Sequence, residues 1–250
     1  MTFDYPPLRI AVNVPDQAAL LTRVGQALTT GEGFALATIN LDHLAKLARC
    51  KQFRTAYSAQ NLVVADGNPI VWLSYLAGRP VSLVPGSDLV VPLARVACQA
   101  GVPVALVGST APVLDAAAEA LCRQVPGLQI AARIAPPMDF QPQGPEAAAI
   151  LDALARSGAR LCFLALGAPK QETFAAYGRQ RQPQLGFASI GAGLDFLAGK
   201  QRRAPGWVRA IAMEWLWRML GDPRRFAARY AACAAVLPGH VVAALRQRRL

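Results

Sequence analysis

The feature that most constrains this chain is a set of short apolar runs separated by longer segments of helical periodicity. The runs Leu8–Val12, Phe34–Thr38, Leu62–Ala65, Val102–Val107, Leu128–Ile134, Leu161–Leu166 and Gly186–Ile190 are rich in Val, Ile, Leu and Phe and show no strict apolar–polar alternation. Such runs suit strands buried on both faces of a parallel sheet. Between them, residues 16–29, 42–59, 69–76, 87–100, 111–124, 144–157 and 170–182 read as helices, several opened by a polar cap such as Ser87 or Thr110. The order predicts an α/β fold, a Rossmann-like and mainly parallel sheet flanked by helices. After Gly199 the strands stop. Residues 206–220, 223–236 and 238–249 read as two or three helices, so the chain divides into a core over 1–199 and a C-terminal helical appendage over 200–250.

Charge follows the same boundary. Residues 1–199 carry 15 Lys and Arg against 13 Asp and Glu, whereas residues 200–250 carry 11 against only Glu214 and Asp222. Three of the four tryptophans (Trp207, Trp215 and Trp217) sit in that basic segment. Arginine, tryptophan and tyrosine beside apolar helices fit an anionic membrane surface or a phosphate-rich ligand. A nucleic-acid role is disfavoured, because no helix-turn-helix, finger or RNA-binding signature accompanies the charge. Mean hydropathy is +0.28, yet no apolar run reaches the roughly 18 residues of a spanning helix. The start carries Asp4 and prolines where a signal peptide would have a basic flank and an apolar stretch, and the five cysteines are scattered and unpaired. A cytoplasmic protein is expected. With only two histidines, His43 and His240, a histidine-rich metal site is not expected.

Common nucleotide and nucleophile motifs fail. Gly31-Glu32-Gly33 and Gly191-Ala192-Gly193 are followed three residues on by Leu36 and Phe196, so neither completes a dinucleotide fingerprint. Lys200 after Gly199 is followed by Gln201, which breaks a Walker loop. No G-x-S-x-G elbow and no D-x-D carboxylate clamp occurs.

Polar residues interrupt strand ends in three places, where ligands of open α/β sheets bind. Thr38 and Asn40 point the same way if extended and offer hydroxyl and amide groups to a sugar or phosphate. Asp42 reads first as a cap for the next helix, while Thr38 and Asn40 stay open between cap and ligand contact. Asp66, before Gly67 and a Pro69-started helix, is either a structural cap, the plainer reading, or a general base. At Gly167-Ala168-Pro169-Lys170-Gln171-Glu172 a strand meets a glycine turn and a helix start whose amides can bind phosphate or sugar oxygens. Arginines of the basic segment suit a diphosphate by their fork geometry.

Eight short motifs then occur in order: Thr38–Asp42, Ala65–Gly67, Gly86–Leu89, Gly167–Glu172, Gly191–Gly199, Arg203–Trp207, Glu214–Arg218 and Arg229–Tyr230. Together they resemble the WecG/TagA/CpsF glycosyltransferases (glycosyltransferase family 26) over roughly residues 8–237. The resemblance implies a UDP-sugar-dependent hexosyltransferase that is inverting and metal-independent and needs no cofactor. Its acceptor would be a polyprenyl-diphosphate-linked sugar in exopolysaccharide, capsule or cell-wall polymer synthesis, and the enzyme would be peripheral on the inner face of the plasma membrane. It also implies roles by position. Asp66 matches the general base, and Thr38, Asn40 and Gln171 match pocket residues. Gly167, Pro169, Lys170 and Asp195 stand in motifs of the pocket. Arg218, Arg225 and Arg229 match the appendage motifs, the first two as diphosphate contacts, and Arg203 is a further anion-binding candidate. Leu83 stands where many members have an arginine, a cation that Arg79 would have to replace. The segment Pro136–Phe140 is similar to that of exopolysaccharide-type members and favours a glucosyl-like donor. A homo-oligomer remains open, as does the alternative of a non-catalytic nucleotide-sugar-binding module at the membrane surface.

Overall fold

The computed structural model describes residues 1–201, 204–210 and 212–249; the side chains of Arg209, Ala210, Arg218 and Arg225 lie outside the described set. Six parallel strands form the central sheet: β3 (Ala35–Ile39), β4 (Leu62–Ala65), β5 (Val104–Gly108), β6 (Ile130–Ile134), β7 (Leu161–Ala165) and β8 (Gly186–Ser189), in the spatial order β4-β3-β8-β7-β5-β6. This is the α/β, Rossmann-like sheet that the alternation predicts. Strands β3, β5 and β8 inside the sheet and edge strand β4 are buried along their whole length, which is why their apolar runs are unbroken. Edge strand β6 instead alternates, with Ala131 and Arg133 exposed.

The first apolar run departs from the expected parallel sheet. Leu8–Ala11 (β2) pairs antiparallel with Thr2–Tyr5 (β1) in a separate two-stranded hairpin, not in the parallel sheet. The reason is visible in its burial: Arg9 is exposed between Leu8 and a buried Ile10, a one-face pattern rather than a two-face one. The turn between the two strands is Pro6-Pro7.

Successive strand residues alternate between two layers. Leu36, Val64, Leu106 and Phe163 pack with α1 (Gln17–Thr30), α5 (Gly86–Gln99), α6 (Ala111–Gln124) and the short α9 (Gly193–Leu197). On the other face, Ala105, Cys162 and Phe187 pack with α7 (Pro145–Ser157) and α8 (Lys170–Arg181). Beside them Ile39, Val63 and Ala65 pack with α2 (Leu41–Arg49), α3 (Lys51–Ser58), α4 (Asn68–Leu76) and the hairpin. The single helix read over 42–59 is two, because Cys50 is extended (φ −121°, ψ 109°) and its Sγ accepts from the Phe53 amide to start α3.

Beyond the sheet lie α10 (Gly206–Ala210), α11 (Glu214–Gly221) and α12 (Pro223–Gln247). Helix α12 runs through Pro238, where the sequence reading broke it in two. That continuity joins two moderate runs into Phe226–Gln247, a segment long and apolar enough by length and composition to cross a membrane. One stripe of it is committed to the protein: Cys233 and Ala244 are buried, and Leu237 and Val241 pack on the α2–α4 cluster.

Gly108 closes β5 at φ +123°, and a Cβ there would collide with the carbonyl oxygen of Ala165 on β7. Gly108→Ala should therefore lower unfolding free energy by about 3 kcal/mol, combining backbone strain with displaced strands. A urea titration with an unchanged midpoint would contradict this packing.

Candidate active site

The site is built where β3 and β4 end side by side. Their register pairs Ile39 with Ala65, so the next residues, Asn40 and Asp66, emerge together. The Asp66 amide donates to the Ile39 carbonyl (2.7 Å), and the Asn40 side-chain amide donates to Asp66 Oδ2 (3.3 Å). Asn40 has a second task. Its Oδ1 accepts from the His43 amide (3.1 Å) while the Asn40 amide donates to His43 Nδ1 (3.3 Å), a reciprocal cap that starts α2. Cap and pocket residue were alternatives in the sequence; here one side chain does both. Asp66 is not the cap of α4. That position is Gly67, at φ +102°, and no side chain caps the helix. Asp42, read as a cap, lies inside the first turn of α2 instead.

Thr38 is buried, its Oγ1 facing Gly86 so closely that a Cβ on that glycine would sit 3.2 Å away. Gln171, in the first turn of α8, is also buried and spends both ends of its amide within the protein. Its Oε1 accepts from the Gly191 amide (3.2 Å) and its Nε2 donates to Glu172 Oε1 (2.8 Å). Gly167 takes φ +70° in the turn before α8, and Pro169 occupies the α8 N-cap. Lys170 reaches across to the Met138 carbonyl (3.5 Å). Asp195, on α9, accepts from Ser109 Oγ (2.9 Å) beyond β5 and lies 3.9 Å from Lys200 Nζ. Thr38 near the end of β3, and Asn40, Asp66, Gly167 and Gln171 beyond the ends of β3, β4 and β7, thus gather at the carboxyl edge of the sheet, with Asp195 farther along it.

Of the appendage arginines, Arg229 is described: its Nη2 lies 3.1 Å from Asp42 Oδ2. Arg203 and the side chains of Arg218 and Arg225 lie outside the described residues. Leu83 is exposed and bridges Ala65, so it stands directly beside the Asp66 turn. Arg79 is three residues beyond the other end of α4, near enough to the Met1 amino group to add to the burial that lowers its pKa.

Three residues at the site escaped the sequence reading. Lys46 joins α2 to two neighbours, donating to the Ala168 carbonyl (3.1 Å) and pairing with Asp42 Oδ2 (2.8 Å). His43 and Glu172 are buried behind Asn40 and Gln171, with His43 Nε2 3.8 Å from Glu172 Oε1. The signal for His43 was its place three residues after Asn40, the reciprocal position of a cap; Glu172 closes the Gly167–Glu172 motif.

Electrostatics of this pair run against an ion pair. Burial pushes the Glu172 carboxyl up to about 7 and the His43 ring down to about 3. At neutral pH His43 is therefore uncharged, with Nδ1 as acceptor and the proton on Nε2. Glu172 Oε2 and the Tyr57 hydroxyl are both buried with no hydrogen-bond partner among the described residues. Burial first, then the charges of Glu172 and Asp66, raise the Tyr57 pKa far above its ordinary value. Tyr57 therefore stays a phenol. Among the described residues no group of three His, Cys, Asp or Glu is placed to hold a metal ion.

These shifts predict a pH profile. Glu172, raised from 4.5, stabilises the fold fully below pH 4.5, and that contribution disappears as pH rises through 7. His43, lowered from 6.5, contributes above pH 6.5 and loses its contribution as pH falls toward 3. Between pH 4.5 and 6.5 the two slopes oppose each other. Glu172→Gln removes one of them, so its stability should rise across that window, by up to about 1.4 kcal/mol per pH unit, relative to the parent. Urea midpoints measured from pH 4.5 to 8 test this; parallel profiles for the two proteins would refute it.

Comparison with known proteins adds the family. Residues 5–250 match the model described as the glycosyl transferase WecG/TagA/CpsF family. Among curated proteins, the chain is 27 % identical over 223 residues to the N-acetylglucosaminyldiphosphoundecaprenol N-acetyl-beta-D-mannosaminyltransferase of Bacillus spizizenii, an alignment covering 89 % of this chain and 82 % of that protein.

Proposed function

This chain belongs to the WecG/TagA/CpsF family of glycosyl transferases, and from that premise we propose that it is an inverting transferase moving a hexosyl group from a UDP-sugar to a polyprenyl-diphosphate-linked sugar, with Asp66 as the general base. The similarity to the Bacillus spizizenii enzyme, whose name specifies an N-acetylglucosaminyl-diphosphoundecaprenol acceptor, supports the acceptor class.

The observation that carries the reading is the pairing of Asp66 with Asn40. The carboxylate stands at the carboxyl edge of a parallel sheet, where ligands of such folds bind. One of its oxygens is held by the Asn40 side-chain amide, which fixes the carboxylate at that edge. In the step proposed, Asp66 takes the proton of an acceptor hydroxyl as that oxygen bonds to the anomeric carbon. The bond from that carbon to the diphosphate oxygen breaks, and its electron pair leaves with UDP. Attack opposite the leaving group inverts the centre. The charge on UDP needs donors fixed in advance; the α8 N-terminus after Gly167, Lys170 and the arginines of the appendage are the candidates. Residues 1–199 would be the catalytic core, and the basic helices after residue 200 would meet the cytoplasmic membrane surface that holds the acceptor.

Asp66→Asn keeps the hydrogen bond from Asn40 and the volume of the side chain while removing the base. Its turnover should fall about 10²–10⁴-fold with UDP-sugar binding retained. The assay is transfer from a panel of UDP-sugars to polyprenyl-diphosphate-linked N-acetylglucosamine or glucose, with products read by mass. Near-parental turnover in the variant would remove Asp66 from the chemistry.

A further inference from the structure

Exposed apolar side chains are not spread evenly over this protein. Among the described residues ten large apolar side chains are exposed, and eight of them lie on α4 or on the helices after residue 205. The tryptophans of α10 and α11 belong to the basic appendage. Helix α4 belongs to the sheet domain, yet it presents Trp72 (55 % exposed) and Tyr75 (65 % exposed) to solvent. They stand three residues apart, so they share one face, opposite the buried Ile70, Leu73 and Ala77.

Helix α12 packs beside α4 and α2. Its register is fixed on one flank by the hairpin. Gln247 exchanges two hydrogen bonds with the Thr2 backbone, and His240 stacks edge-on against Phe3 at 5.4 Å. At 100° per residue, Val241, Leu245 and Arg248 fall on the opposite flank, toward α4. The Arg248 methylenes accordingly lie beside Gly78, just past the end of α4. Leu245 and the neighbouring Val242 are exposed.

Charge identifies what this surface fits. Neither α4 nor α12 contains an acidic residue. Arg79 after α4 and Arg246, Arg248 and Arg249 at the end of α12 are all exposed. An aromatic face between aliphatic side chains, edged by arginines with no acid on either helix, has the chemistry of the bilayer interface. Aromatic rings prefer the headgroup level, and each basic residue near an anionic surface adds to the attraction.

We propose that α4 and the C-terminal half of α12 form a bilayer-contacting surface, with Trp72 and Tyr75 entering the interface of an anionic membrane and the arginines meeting its headgroups. The catalytic domain itself then rests on the membrane, not only the appendage. Asp66 stands six residues before Trp72, on the segment that leads into α4. A sugar on a membrane-held diphosphate is thereby brought to the carboxyl edge of the sheet. This rests on the acceptor being lipid-linked, as proposed above.

The test uses the full chain with vesicles of phosphatidylglycerol and phosphatidylcholine. In a variant keeping Trp72 as its only tryptophan (Trp207, Trp215 and Trp217 to Phe), brominated lipid should quench the fluorescence. In the otherwise unaltered chain, Trp72→Ala with Tyr75→Ala should weaken vesicle binding at least about tenfold. The same pair should leave thermal melting and transfer to a water-soluble, short-chain acceptor unchanged. Trp72 left unquenched on vesicles that bind the protein would overturn the proposal, as would parental affinity in the double variant. Concentration-dependent dimerisation abolished by the double variant, without quenching, would overturn it in favour of a second copy of the chain. Quenching together with no sugar transfer in any assay would keep this surface and reject the transferase reading instead, so the two failures are distinguishable.

Discussion

The parallel pairing of β3 with β4 is the constraint on which the site depends. A parallel register delivers both chains to the same edge, and here it does so in step: Ile39 opposite Ala65, then Asn40 beside Asp66. A shift of one residue would send Asn40 to the other face of the sheet and leave the carboxylate without its amide. The strands are held in step by complete burial on two faces, since any slip would expose the apolar set of β3 and β4 to the wrong helical layer. Core packing and site geometry are thus one requirement. The bond from the Asp66 amide to the Ile39 carbonyl extends the ladder one residue past the strand, so the carboxylate hangs from the sheet rather than from a free loop.

Behind this edge lies a second layer that is polar, buried and close to neutral. His43, Tyr57 and Glu172 lack the solvent that would let them carry charge cheaply, and Gln171 beside them is a neutral amide. Asn40 and Gln171 connect the layer to the edge, each with one end of its amide turned inward. Rotating Asn40 to serve a ligand would cost the cap of α2; turning Gln171 would cost the Gly191 amide its acceptor. Such two-ended anchoring keeps amide groups rigid, which is what preorganised binding demands.

How much of this was legible in the sequence follows from where burial is two-sided. The interior strands announced themselves as unbroken apolar runs, and the polar residues ending β3, β4 and β7 stood out against them. Leu8–Ala11 is not part of the sheet although, with one exposed arginine among apolar residues, it reads much like β6, which is. Pro238 was read as a stop, but packing of Leu237 and Val241 on the core holds α12 through it. Lys46, His43 and Glu172 could not be assigned from spacing. They sit on helices whose faces are chosen by the sheet, and their partners are more than a hundred residues away in the cases of Lys46–Ala168 and His43–Glu172. Arg229 stands in the Arg229–Tyr230 motif of the basic segment, and the sequence offers no hint of its pairing with Asp42.

That bond from Arg229 to Asp42 links the two parts of the chain more tightly than the change in charge at residue 200 implies. Asp42 receives Lys46 from its own helix and Arg229 from α12, while Lys46 also holds the carbonyl of Ala168. One nearly buried carboxylate is therefore shared by the turn before α8, the helix that Asn40 caps, and the basic appendage. Lifting α12 from α2 would leave that carboxylate with one cation where it now has two, in a place that water hardly reaches. The cost of such exposure, rather than the hydrophobic stripe alone, ties the position of α12 to the loop from Gly167 to Pro169. The surface proposed on α12 is by this route mechanically continuous with the edge where Asp66 stands.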